Sequence, residues 1–187
     1  MRNVEGNRAL TIWVGVVLLV LLAVEGLTLV SLQAFLPVHI YVGMLLLAPI
    51  TLKLASVGYR FARYYTGDPD YRAAGPPPLV LRALGPVVVL STIALFGTGV
   101  ALVFLGRRGL VLGLHKASFV VWFGAMSVHV LGHGQRVLAS IGRRVPGAGR
   151  RLVLVGASLA AGLVVATATI PTADHWQDRH MERFRVG

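Results

Sequence analysis

Polar and apolar positions alternate along this chain in long blocks rather than singly. Stretches at 9–31, 38–59, 79–105, 112–131 and 151–170 each approach or exceed the ~20 apolar residues that carry a helix across a bilayer, and the charges crowd their ends. The first is almost pure Val and Leu, broken by Glu25. It is long for a signal-peptide core, and no small-x-small cleavage pattern precedes the next span, so it reads as a helix. Pro37 stands where proline suits a first helical turn. Thr66-Gly67-Asp68-Pro69-Asp70 reads as a turn and Gly75-Pro76-Pro77-Pro78 as a stiff extended linker. Gly106-Arg107-Arg108-Gly109 is a tight turn, which makes the third and fourth spans antiparallel neighbours. The fourth span continues helically towards Leu138, and Pro146-Gly147-Ala148-Gly149 breaks it. The expected fold is therefore all-α: an integral membrane bundle of five transmembrane helices over 1–171. A tail at 172–187 follows, whose Trp176, His180 and Phe184 share a face suited to the outer leaflet.

Charge orients this bundle. The chain has 187 residues, 56% hydrophobic and 13% charged, with a net charge of +11. In a soluble protein that excess would suggest nucleic acid. Here the arginines flank the spans, and no basic patch interleaved with aromatics exists, so they serve topology and lipid phosphates and no nucleic-acid partner is expected. Eleven arginines fall on one side (2, 8, 60, 63, 72, 82, 136, 143, 144, 150, 151) and five on the other (107, 108, 179, 183, 185). The richer side is cytoplasmic by the positive-inside bias, which puts the N-terminus in and the C-terminus out. Sixteen Arg against two Lys, with abundant Ala, Gly and Val, hint at a high-GC bacterial genome and so a bacterial plasma membrane. The absence of cysteine excludes disulfides, thiolate zinc sites and iron–sulfur clusters.

Histidines carry the candidate chemistry. Four lie in apolar segments, His39 on the second span and His115, His129 and His133 on the fourth. Ionisable groups are costly in lipid and usually turn to the bundle interior. At ~100° and 1.5 Å per residue, the fourteen residues from His115 to His129 make nearly four turns and about 21 Å, one face at two depths. The same offset from His39 lands on Lys53, and seven residues further on stand Arg60 and Arg136. His39, Lys53 and Arg60 thus echo His115, His129 and Arg136 on two parallel helices, predicted to face each other through the bundle centre. Gly43, one turn below His39, leaves room for a macrocycle, and Phe119 and Trp122 lie where they could pack on one. Each has a plainer reading. The outer histidines can be wet interfacial rings, His129 a structural hydrogen-bonding group, and the glycines and aromatics ordinary helix packing. A Glu25–Lys53 ion pair would neutralise the two charges inside the spans, although their depths differ. His133 suits a supporting role, and Lys116 and the Arg107-Arg108 turn suit propionates or interfacial snorkelling.

His115-x13-His129 with a partner at His39 resembles the bacterial membrane b-type cytochromes that serve formate dehydrogenases and nickel hydrogenases. The resemblance covers the first four spans. It implies metal ligation by His39, His115 and His129, with His39 and His115 holding an outer haem b. It also implies electron exchange between the quinone pool and an extracytoplasmic oxidoreductase. In that family a histidine of the first span helps hold a second haem. This chain has none there, so a second haem would draw on His129 with Lys53, or on His129 alone, and one haem or two stays open. Partners expected on this reading are lipid, a redox protein, a quinone and, left open, a second copy of the chain. Two other classes compete: a small proton or ion transporter using Glu25, Lys53 and His129, and a cofactor-free assembly subunit of a respiratory complex.

Overall fold

A computed structural model describes residues 2–76, 79–106, 109–138 and 147–172, with backbone alone at 2–3 and 135–138. It is helical throughout, with no strand among the described residues. Helices α1 (Arg2–Thr28) and α2 (Leu32–Tyr65) are joined by a single 3-10 turn at Leu29–Ser31. A short helix α3 (Pro69–Ala73) precedes α4 (Leu79–Leu105), α5 (Gly109–Leu138) and α6 (Ala148–Ala168). Four stretches are long and apolar enough to cross a membrane: Val4–Tyr65, Leu79–Leu105, Gly109–Gly134 and Ala148–Thr172. The chain is thus a multi-pass membrane protein.

The first of those stretches folds back on itself. Asn7 meets Ser56, Lys53 meets Thr11, and Glu25 meets His39, so α1 and α2 form an antiparallel hairpin about Leu32. Apolar helices gain little from the hydrophobic effect in lipid, so close packing and hydrogen bonds between helices must hold them. Both are present. Asn7 Nδ2 donates to Ser56 O at 3.1 Å, Ser56 Oγ donates to Asn7 Oδ1 at 2.8 Å, and the Thr11 and Ser56 hydroxyls lie 2.5 Å apart. Val14, Leu18, Leu46, Ile50 and Val155 pack as one buried cluster of α1, α2 and α6. A second cluster joins Met44 and Leu45 of α2 to Val103 of α4 and Ala166 of α6. Gly162 lets α6 ride directly on the α2 backbone, since a Cβ there would lie 2.2 Å from Leu45 O.

The other unit is the α4–α5 hairpin. Trp122 Nε1 donates to Thr92 Oγ1 at 3.0 Å, His115 reaches Leu95 and Thr98, and Gly132 faces Leu81. This succession is the antiparallel pairing expected from the tight turn, although Arg107 and Arg108 themselves lie outside the described residues. The two units meet mainly where α2 touches α4.

Element ends depart from expectation in instructive ways. Pro37 lies within α2, because the helix begins one turn earlier at Leu32; Pro49 and Pro86 are likewise internal. Each lies beyond the first four N–H groups, so each forgoes one i→i−4 bond, at Pro37 the one to Gln33 O. The expected turn at 66–70 ends in α3, whose N-cap Asp68 accepts from the Asp70 and Tyr71 N–H groups at 3.0 and 3.2 Å and is ion-paired with Arg63. The expected break at Pro146 and the tail beyond Thr172 fall outside the described residues.

Candidate functional site

His39 is held by α1. Its Nδ1 lies 3.0 Å from Glu25 Oε1 and 2.9 Å from Thr28 Oγ1, while the Thr28 hydroxyl donates to Glu25 O at 2.5 Å. His115 is held by α4 in the same manner. Its Nδ1 lies 3.1 Å from Leu95 O and 3.1 Å from Thr98 Oγ1, and Thr98 donates back to Ala94 O at 2.6 Å. Each imidazole therefore shares its Nδ1–H between a stronger acceptor and a threonine of the helix that precedes it in the chain. That bond fixes the tautomer and leaves Nε2 with the lone pair a metal requires. No hydrogen bond among the described residues engages Nε2 of either ring. No hydrogen bond or ring contact among the described residues joins the two imidazoles.

The predicted facing of α2 and α5 is only partly realised. The stripe carrying His39, Gly43 and Lys53 is turned onto α1, and that carrying His115, Trp122 and His129 leans on α4. Gly43 faces Glu25, whose Oε1 would lie 3.4 Å from an added Cβ, so its missing side chain makes room for that carboxylate. Trp122 is buried against α4 by its bond to Thr92, with the Phe119 ring stacked beside it at 6.4 Å. Glu25 pairs with His39 rather than with Lys53.

Lys53 donates from Nζ to Thr11 O at 2.5 Å. Gly15 makes this approach feasible, as a Cβ there would meet Nζ at 2.8 Å. A lysine nitrogen bound to a carbonyl in this way acts as a donor, whereas a metal would require its lone pair. His129 Nδ1 is buried without a hydrogen-bond partner, its carbonyl accepts from His133 Nδ1 at 3.0 Å, and the two rings stack at 4.4 Å. Arg60 is exposed at the end of α2. Arg136 lies on α5, and its side chain is outside the described residues.

Sequence reasoning missed Thr28, Thr98 and Gly15, the residues that aim the three polar side chains. Among the described residues no group of three or more His, Asp or Glu side chains converges as a metal site. A shallow groove lined by Leu47, Thr51, Leu52, Ser158 and Val165 lies between α2 and α6, and none of the histidines line it. No protein-family model matches this chain, and neither a curated protein nor a solved structure does.

Proposed function

We propose that this protein is a bacterial plasma-membrane b-type cytochrome that passes electrons between the quinone pool and a partner oxidoreductase outside the membrane. One observation carries the reading. Two imidazoles on parallel helices are both anchored through Nδ1, and no hydrogen bond among the described residues engages Nε2 of either. His39 and His115 would hold the group, with Glu25 and Leu95 O as the acceptors that orient the rings and raise their basicity. Haem held by two imidazoles carries single electrons and has no open iron position. Thr28 and Thr98 keep each ring from rotating. The proposed topology is five crossings, from the α1–α2 hairpin plus three single helices, with the N-terminus in the cytoplasm. A periplasm-specific reporter fused after Gly187 should then be active.

The test is the absorbance of purified protein from haem-sufficient cells. A low-spin b-type spectrum is expected, lost in both His39→Ala and His115→Ala. Protein without haem, or full haem content in either variant, would refute the assignment. A second reading draws on Glu25 Oε2, which is buried without a hydrogen-bond partner. A carboxylate so placed suits a proton path. Proton flux into proteoliposomes by haem-free protein, abolished by Glu25→Gln, would favour it.

A further inference from the structure

At the end of the α1–α2 hairpin away from its turn stand three cations that no acid among the described residues pairs with. Arg8, Thr11 and Gly15 lie along one stripe of α1, and Lys53, Ser56 and Arg60 along the facing stripe of α2. Arg8 stands one turn from Thr11 and Arg60 one turn from Ser56, whose hydroxyls meet, so like charges share this end of the hairpin. Such mutual repulsion is unfavourable, and charges at a membrane boundary are normally paired. The nearby acids are otherwise placed. Asp68 is bound to Arg63, and Glu5 makes no ion pair with Arg8, Lys53 or Arg60. Tyr71, packed edge-on against Tyr59 of α2, is a phenol and offers no anion at neutral pH. Lys53 lies seven residues, about 10 Å, deeper along the helix than Arg60. Apolar surface flanks the cluster, with Val57, Tyr59 and Phe61 exposed by 36%, 50% and 62%.

We propose that Arg8 and Arg60 bind the headgroup phosphate of an anionic phospholipid, with Lys53 deeper in the same row. A row of cations running from the interface into the span, beside exposed apolar side chains, matches an amphiphile with a phosphate at one end and acyl chains along the helix. A free phosphate would use only the cations. The site is independent of the haem reading, since neither His39 nor His115 belongs to it.

The test uses full-length protein in nanodiscs of phosphatidylcholine, alone or mixed equally with phosphatidylglycerol, with co-purifying lipid quantified by mass spectrometry. Phosphatidylglycerol should be enriched on the wild-type protein. Each basic residue at an anionic surface is worth a factor of about five, so Arg8→Gln with Arg60→Gln should cut the enrichment by about 25-fold. Arg8→Lys with Arg60→Lys should keep most of it, which separates charge from damage to the fold. Removing Arg72 and Arg82 at the same end of the molecule should leave it within a few-fold. Equal loss in that control would overturn the site, as would no enrichment on the wild type. So would a thermal upshift from inorganic phosphate in pure phosphatidylcholine discs as large as that from phosphatidylglycerol.

Discussion

Two glycines of α6 should respond with opposite sign to the same substitution. Gly162 is buried against α2, where a Cβ would sit 2.2 Å from Leu45 O and 3.2 Å from Leu45 C. Neither atom is the tip of a flexible side chain, so Gly162→Ala must move α6 bodily by ~1 Å to restore normal contact. A gap of that size forfeits a quarter to a half of the dispersion energy of the atoms it separates. Here those belong to Leu45, Met44 and Ala166. Overpacking typically costs 1–3 kcal/mol, and backbone-to-backbone contact places this site near the middle, at about 2 kcal/mol. A Cβ on Gly156 would meet nothing within 4 Å. There alanine's better helix propensity should act alone, stabilising by up to about 1 kcal/mol. Unfolding in mixed micelles, followed by loss of helical circular dichroism, should therefore separate the variants by about 3 kcal/mol. If they unfold within about 0.5 kcal/mol of each other, the scatter of ordinary surface substitutions, the tight α2–α6 approach is not what holds the helix.

Trp122→Phe removes the bond to Thr92 while keeping an aromatic ring against α4. A loss of about 0.6 kcal/mol and at most ~1.7 is expected, and adding Thr92→Val should cost little more; strictly additive losses would mean the two residues act separately. Asp68→Ala deletes the N-cap of α3 and the partner of Arg63, and proteolysis within 66–76 should rise about fivefold for the ~1 kcal/mol lost, whereas Asp68→Asn should retain the cap; an Asn variant as labile as Ala would shift the credit to the ion pair.

Helices are legible in this chain because lipid leaves a backbone few alternatives, and uninterrupted apolar runs mark them by length alone. Their partners are less legible. Placing the first turn at Pro37 put Glu25 and Lys53 at unequal depths and left both unexplained. The turn centred on Leu32 resolves this by counting: Glu25 and His39 each stand seven residues from it, and Thr11 and Lys53 each twenty-one. Proline was a misleading signal, since more than one turn of α2 precedes Pro37 and the helix continues through it. The threonines behind the two histidines carry no mark of their own, because Thr in a membrane helix commonly bonds its own carbonyls, as Thr51 does. Only the folded hairpins show which threonines also reach across.

The late arrival of α6 has a consequence for biogenesis. The α1–α2 hairpin leaves the ribosome early, and the α4–α5 hairpin can close by local contacts soon after. The groove in α2 that receives Gly162 waits for a helix synthesised roughly 100 residues later, which at 5–20 residues per second is about 5–20 s. During that interval the backbone at Leu45 faces lipid, and the cluster that joins Met44 and Leu45 of α2 to Val103 of α4 lacks Ala166. Until then the α1–α2 hairpin has to hold its pairing through its own hydrogen bonds at Asn7, Thr11, Lys53 and Ser56.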